Sequence, residues 1–164
     1  MERAIRFPSG DLELSGVLHL PETTRDGQLP CFVVIHGFGS NKDATNVQGP
    51  VKMLNEWGYA AFRFDMRGCG QSDGSFGRVI CLEQVADTRA AIDLLQAQPE
   101  LDPQRIGVLG SSFGAAVAIY AAGVDDRIAA VVSSGGWGHG ERKFRRQHPT
   151  QEGWLRFTEM LERG

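Results

Sequence analysis

The segment at residues 110–114 has the form Gly-x-Ser-x-Gly, with Ser112 at its centre, and lies between two segments of opposite character. A strand-like apolar run, residues 105–109, precedes it, and an alanine-rich, helix-like run, residues 115–122, follows it. This order predicts a sharp strand-to-helix turn, called a nucleophile elbow, that lifts one hydroxyl above a sheet. The strained backbone at such a serine needs small neighbours, and these are Gly110, Gly114 and Ala115. The alternative is a glycine-rich loop with an incidental serine.

Bulk properties indicate one globular domain. The chain has 164 residues, of which 41% are hydrophobic, and a net charge of −3, which argues against a general nucleic-acid binder. It has no apolar run long enough to span a membrane, and its first residues lack the apolar stretch of a signal peptide. The three cysteines, Cys31, Cys69 and Cys81, have no metal-type spacing and indicate reduced thiols in a cytoplasmic protein. Cys69 lies between two glycines, where it is either a reactive thiol or simply a tolerated loop residue.

Strand-like and helix-like segments alternate along most of the chain. Predicted strands occupy residues 3–7, 12–20, 31–35, 59–65, 105–109 and 127–132. Predicted helices occupy residues 50–57, 81–98 and 113–122, with a turn at residues 102–104. Alternation of this kind is typical of a parallel sheet covered by helices. The sequence therefore predicts an α/β fold, with a mostly parallel sheet and helices on both of its faces.

Three motifs follow predicted strands, and together they resemble a known family. The strand at residues 31–35 runs into His36-Gly37-Phe38-Gly39, and the strand at residues 59–64 runs into Asp65-Met66-Arg67-Gly68. With the elbow at Ser112, this set resembles the α/β-hydrolase fold family, particularly its bacterial esterase and serine peptidase-like members. The resemblance covers residues 12–132. Ligands of open α/β sheets gather at the carboxyl ends of the strands, where all three motifs lie.

The resemblance implies an acyl hydrolase that cleaves a carboxylic ester or amide through an acyl-Ser112 intermediate, with no metal or organic cofactor. The backbone N–H groups of Phe38 and Phe113 would form its oxyanion hole. His36 is expected to organise its loop rather than act as a base. Asp65 and Arg67 are expected to order the second loop by pairing with backbone groups or with each other.

The acid and histidine that should accompany Ser112 are not identifiable in the sequence. In the family both follow the serine, after later strands, and this chain is expected to correspond only to the first six strands. His139 is a weak candidate base. We expect residues 1–134 to form the N-terminal portion of the hydrolase core. We expect residues 135–164 to form a glycine-rich loop and a charged helical segment that begins a cap.

Two other roles stay open beside catalysis. One is an inactive short homologue that binds a ligand or a partner through the same pocket. The other is an interaction fragment, since the strand at residues 128–132 would leave an apolar edge open to self-association or to a complementing chain. Phosphate-binding loops are not indicated, because the glycines lack the required spacing. Residues 141–146 are basic, but Glu152 and Glu159 follow and the net charge is negative, which favours a solvated helix face over a nucleic-acid site.

Overall fold

A computed structural model describes residues 1–22 and 27–163. Its strands are β1 (Glu2–Ser9), β2 (Leu12–His19), β3 (Leu29–Ile35), β4 (Ala60–Phe64), β5 (Leu101–Ser111) and β6 (Ile128–Ser134). Its helices are α1 (Thr45–Glu56), α2 (Cys81–Gln96), α3 (Phe113–Val124), α4 (Gly140–Gln147) and α5 (Gln151–Arg163). None of the described helices combines the length and apolar character needed to cross a membrane.

The six strands form one mixed sheet in the order β1-β2-β4-β3-β5-β6. Strands β1 and β2 form an antiparallel hairpin whose turn contains Gly10 at a φ of +60°, a conformation that favours glycine. Strand β2 also pairs antiparallel with β4, whereas β4, β3, β5 and β6 run parallel to one another. The carboxyl ends of β3, β4, β5 and β6 therefore meet at one edge of the sheet. The prediction of a mostly parallel α/β sheet is confirmed.

Helices cover both faces of the sheet, as the sequence predicts. Successive side chains of a strand point to opposite faces, and those of β3 divide in this way between two apolar clusters. Val34 packs with Val47, Val51 and Leu54 of α1. Val33 belongs to the larger cluster. That cluster includes the buried Ile92 and Leu95 of α2 and Val117, Ala118 and Ala121 of α3.

Two predicted boundaries are wrong. Helix α1 begins at Thr45 and not at Pro50, which lies inside the helix. Proline removes one helical hydrogen bond, but burial of Val47 and Val51 on the same helix keeps the first turns in place. Strand β5 begins at Leu101, where a turn was expected at residues 102–104. The pairing of β3 with β5 shifts register between Leu29 and Cys31, which accommodates the irregular segment.

The part of the chain after α3 forms an exposed strand, β6, and the two helices α4 and α5. Strand β6 pairs only with β5 within the described sheet, and Val131 and Val132 are 43% and 46% exposed. Helices α4 and α5 contain no buried residue. They contact each other through the Phe157 ring, which stacks on Phe144 with ring centroids 5.1 Å apart. The sequence predicts this open apolar edge. Association through the edge stays a prediction, which sedimentation at rising protein concentration would test.

Candidate active site

Ser112 lies at a sharp turn between β5, which ends at Ser111, and α3, which begins at Phe113. Its φ of 54° and ψ of −118° are unusual, and among residues 1–22 and 27–163 it is the one non-glycine residue with a positive φ. Such a conformation costs about 1–3 kcal/mol and clusters at functional sites. The Ser112 N–H donates to the Ser134 carbonyl at 2.8 Å, which joins the turn to the end of β6. Ser112 is exposed, as a nucleophile must be.

Glycines on both sides allow this turn to be tight. A Cβ added to Gly110 would lie 2.2 Å from the Gly114 carbonyl oxygen. A Cβ added to Gly114 would lie 2.4 Å from the His36 carbonyl oxygen. Both distances are far below van der Waals contact, so neither position can hold a larger residue without movement of the backbone. The second close approach also brings the loop after β3 beside Ser112.

The two expected oxyanion-hole amides belong to segments on either side of Ser112. Phe113 N–H is at the N-terminus of α3, where helix N–H groups lack intrahelical partners. Phe38 follows Gly37, whose added Cβ would lie 4.0 Å from Ser112 Oγ and 3.4 Å from Ser112 Cβ. Among the backbone hydrogen bonds of the described turns, loops and helix caps, none is donated by the Phe38 or the Phe113 N–H. The rings of Phe38 and Phe113 meet edge to face, with centroids 6.3 Å apart.

His36 has the structural role expected of it. The side chain is 1% exposed. Nδ1 lies 2.8 Å from the Gly37 carbonyl oxygen, and Nε2 accepts from the Met66 N–H at 3.2 Å. The neutral ring with its proton on Nδ1 satisfies both contacts. Burial lowers the pKa of His36, which also favours the neutral form. His36 therefore joins the loops after β3 and β4 and does not contact Ser112 Oγ.

Asp65 also orders the site, through a partner that the sequence did not indicate. Its carboxylate is fully buried and accepts from both the backbone N–H and the Nζ of Lys42, each at 2.7 Å. It accepts a further bond from the Gln71 N–H at 2.9 Å. The alternative that Asp65 pairs with Arg67 is wrong. No motif could have identified Lys42, because 23 residues separate it from Asp65.

Arg67 pairs instead with Asp87 of α2. Its Nη2 lies 2.6 Å from Asp87 Oδ1, and its backbone N–H donates to Oδ2 of the same carboxylate at 2.9 Å. Ser9 of β1 donates to Asp87 at 2.7 Å. Asp87 is fully buried, so these charge-assisted bonds satisfy a carboxylate that would otherwise be costly to bury. The loop after β4 is thus fixed to α2 and to the hairpin.

Cys69 is not a reactive loop thiol. Its side chain is buried, at 9% exposure. Burial raises the pKa of Cys69, and the Asp65 and Asp87 carboxylates raise it further. Since the thiolate is the reactive form, the structure favours the tolerated loop residue among the two alternatives. The described residues also contain no cluster of three or more His, Cys, Asp or Glu side chains that could hold a metal ion.

Among the described residues, no base is in place beside Ser112. Within the described part of the chain, Ser112 Oγ makes no side-chain hydrogen bond, although the neighbouring Ser111 Oγ accepts from Asn46 Nδ2 at 3.1 Å. His139, the weak candidate, is the N-cap of α4, and its Nδ1 accepts from the Arg142 N–H at 3.3 Å. That nitrogen therefore caps the helix, and His139 makes no hydrogen bond to Ser112 Oγ within the described part of the chain. His148 stacks on Phe157, with centroids 4.6 Å apart.

Four of the acids that follow Ser112 form ion pairs with other residues. Asp125 pairs with Arg127 at 2.7 Å and with Arg89 at 3.0 Å. The Arg127 hydrogen bonds lower the pKa of this carboxyl. Glu141, Glu152 and Glu159 form ion pairs along the surfaces of α4 and α5. The described residues therefore place an exposed, strained serine and two candidate amide donors together without a base–acid pair.

Residues 29–161 match the family model of the serine aminopeptidase S33 hydrolases. The quorum-quenching protein AidA of Acinetobacter baumannii strain MDR-ZJ06 is 32% identical over 130 residues, which are 79% of this chain and 42% of AidA. The thiohydrolase aneE of Aspergillus aculeatus is 32% identical over 123 residues, which are 74% of this chain and 37% of that protein. The chain spans less than half the length of both curated relatives.

Solved structures with the same fold extend the likeness beyond the sequence motifs. The hypothetical protein PA2218 of Pseudomonas aeruginosa matches 99% of this chain and 52% of its own, with a TM-score of 0.84 and 27% identity. The esterase Pf2001 of Pyrococcus furiosus matches 83% of this chain and 52% of its own, with a TM-score of 0.72 and 25% identity. The sheet described above corresponds to the N-terminal part of the α/β-hydrolase fold. The family match covers the strands and loops around Ser112, and the chain belongs to the serine aminopeptidase S33 family of α/β hydrolases.

Proposed function

We propose that Ser112 is the nucleophile of an acyl hydrolase that cleaves a carboxylic ester, or an amide, through an acyl-Ser112 intermediate. The observation that carries the proposal is the strained, exposed backbone of Ser112 between β5 and α3. The names of two related proteins, a thiohydrolase and an esterase, agree with chemistry at an acyl bond.

The reaction would proceed by ordinary nucleophilic acyl transfer. Ser112 Oγ attacks the carbonyl carbon while a base takes the hydroxyl proton, and the N–H groups of Phe113 and Phe38 stabilise the oxyanion. Collapse of the intermediate breaks the bond to the leaving group, which takes up the proton. Water then attacks the acyl-Ser112 carbonyl and gives a proton to the base. The bond to Oγ breaks, Oγ takes up that proton, and the acid is released. Loss of one oxyanion donor typically lowers turnover about 100- to 1,000-fold.

The base is the missing component of this site. No histidine among the described residues makes a hydrogen bond with Ser112 Oγ, so we infer that the base comes from outside them. In another serine hydrolase, loss of the base lowers turnover about a millionfold and leaves only the contribution of the oxyanion hole and binding. We therefore expect the 164-residue chain to show slow acylation unless a base is added.

The test replaces the missing base with free imidazole. The chain is mixed with 4-nitrophenyl acetate, and nitrophenolate release is followed as the imidazole concentration rises. The background rate with Ser112→Ala is subtracted, because imidazole attacks this ester by itself. We expect a Ser112-dependent rate that grows in proportion to imidazole and an acetyl group that mass spectrometry locates on Ser112.

Ser111→Ala is the matched control, since it removes the neighbouring hydroxyl, which accepts from Asn46 and is not the candidate nucleophile. This variant should keep the imidazole-dependent rate. Equal rates for Ser112→Ala and the unmodified chain would reject the proposal, as would an acetyl group found on another residue.

A second candidate function is a binding module that uses the same pocket without turnover. The observation that favours it is the absence of a base beside Ser112 within the described residues. Saturable binding of an ester, with no acylation at any imidazole concentration, would support this role. Acylation of Ser112 in the presence of imidazole would exclude it.

A further inference from the structure

An open cleft of about 710 Å³ lies between the loop after β6 and helix α4. Its lining includes Trp137, His139 and the three cations Arg142, Lys143 and Arg146. Among residues 1–22 and 27–163, no acidic residue lines it. His139, Arg142, Lys143 and Arg146 are three, four and seven positions apart, a spacing that places side chains on one face of a helix. Helix α4 thus presents its positive charge to this cleft.

Among the described residues, these three cations differ from the other Lys and Arg side chains in having no ion-pair partner. Within residues 1–22 and 27–163, every other Lys and Arg has a carboxylate within 4 Å. Arg145, on the same helix, pairs with Glu141. Arg142, Lys143 and Arg146 have no such partner in the described part of the chain. Three like charges on two turns repel one another unless an anion lies between them.

The cleft is adjacent to the candidate nucleophile. Trp137 connects the two regions. Its ring centroid lies 6.1 Å from that of Phe113, the residue after Ser112. Lys143 Nζ lies over the same Trp137 ring, 3.9 Å from its centroid. One aromatic contact therefore separates the turn that presents the serine hydroxyl from the group of cations.

We propose that this cleft binds an anionic group, a carboxylate or a phosphate, carried by the ester that Ser112 attacks. The inference rests on the proposed function and narrows its substrates to those with a negative charge beyond the scissile bond. Arginine side chains bind both groups through two parallel hydrogen bonds. A long polyanion fits less well, because α5 carries Glu152, Glu159 and Glu162 beside the cleft-bearing helix.

A binding experiment tests the cleft independently of catalysis. The Ser112→Ala chain is titrated with monomethyl succinate, with methyl phosphate and with neutral dimethyl succinate. The indole N–H signal of Trp137 is followed by NMR and assigned by its loss in Trp137→Phe. We expect saturable shifts with the anions and none with the diester. The anion that binds more tightly identifies the group as a carboxylate or a phosphate.

Two charge variants supply the comparison. Arg142→Gln with Arg146→Gln should weaken anion binding about threefold to tenfold, since exposed charge pairs contribute modestly. Arg145→Gln with Arg156→Gln removes two charges that are paired with Glu141 and Glu152 outside the cleft, and should leave binding unchanged. Equal losses in both variants, or an equal response to the neutral diester, would overturn the proposal. So would a response to single-stranded DNA at lower concentrations than to either small anion.

A reaction experiment then connects the cleft to Ser112. Imidazole-dependent release of nitrophenolate is compared for mono-4-nitrophenyl succinate and for its neutral methyl ester. We expect the anionic substrate to react faster, and the Arg142→Gln, Arg146→Gln variant to lose that preference. If neither substrate reacts, the proposed hydrolase activity fails while the binding result still decides the anion site. If both react equally, the hydrolase activity is supported and the link to the cleft is overturned.

Discussion

The ammonium group of Lys42 lies 2.7 Å from the carboxylate of Asp65, and the two side chains are 4% and 0% exposed. This buried ion pair joins the loop after β3 to the loop after β4. His36 joins the same two loops through its bond to the Met66 N–H. The position of the Phe38 amide, which is one candidate oxyanion donor, therefore depends on contacts at some distance from the serine.

Asp65→Ala is expected to lower the free energy of unfolding by about 3–5 kcal/mol, because the buried Lys42 ammonium loses its nearest carboxylate and the Lys42 and Gln71 N–H groups lose their acceptor. Lys42 would keep only Gln71 Oε1 at 2.9 Å and the Asp43 carboxylate at 3.6 Å. The double variant Lys42→Met, Asp65→Leu should lose less, since it removes both charges. Chemical denaturation measures both. Glu152→Ala is the control: it breaks an exposed pair with Arg156 and should cost no more than about 1 kcal/mol. A loss for Asp65→Ala as small as that of the control would contradict the burial argument.

Gly37→Ala should impair the chemistry of Ser112 with little effect on stability. The added Cβ would lie in ordinary contact with Ser112 Cβ, at 3.4 Å, and 4.0 Å from Oγ, in space that a substrate carbonyl needs. We expect imidazole-dependent acylation to fall roughly tenfold to a hundredfold and the melting temperature to stay nearly constant. Gly49→Ala, whose Cβ would contact nothing within 4 Å, should leave acylation unchanged. Unchanged acylation in Gly37→Ala would place the substrate elsewhere.

Ser112→Gly should make the protein more stable than Ser112→Ala, by about 1 kcal/mol, because glycine adopts a φ of 54° without strain. Both variants lack the hydroxyl, so the difference between their free energies of unfolding reports the cost of the backbone conformation at residue 112. The gain is partly offset by the greater freedom of glycine in the unfolded chain. Urea denaturation at equal protein concentration gives the comparison. Equal or reversed stabilities would mean that the turn stores no strain.

Stability should fall as the pH drops below about 6.5, because two buried histidines are held neutral. Burial lowers the pKa of His36 and of His19 from the ordinary value of 6.5. The unfolded chain then binds protons that the folded chain does not, so stability is complete above pH 6.5 and declines towards the lower folded-state pKa values. Carboxyl groups with lowered pKa values, such as Asp43, lower the stability only at more acidic pH, where they become protonated.

Denaturation at pH 7.5 and at pH 5.5 measures this dependence, and both values are chosen to stay about one unit from the ordinary pKa of histidine. The variant His19→Gln, His36→Gln should show a smaller difference between the two pH values. A variant with His148→Gln, in the exposed α4–α5 region, is the control and should keep the dependence of the unmodified chain. If the unmodified chain and both variants lost the same stability between pH 7.5 and pH 5.5, groups other than His19 and His36 would cause the loss.

Local sequence predicted much of the fold. The apolar alternation of β2 and the continuous apolar run of β3 each specify a strand with particular buried faces, and α2 buries Val85, Ile92 and Leu95 along one stripe. The boundaries that failed, at Thr45 and Leu101, are positions where packing and strand pairing outweigh a proline. Such packing comes from other parts of the chain, so a local pattern does not contain it.

The turn at Ser112 was determined by sequence alone, because glycines at 110 and 114 and a strand-to-helix change act over a few residues. The tertiary structure decided which groups surround it. Strand β4 lies between β2 and β3, and this order brings Lys42 to Asp65 and Arg67 to Asp87. The same packing leaves Arg142, Lys143 and Arg146 without carboxylate partners within the described residues, next to Trp137. Charges pair according to distance in space, which a linear sequence specifies only after the strands have taken their places.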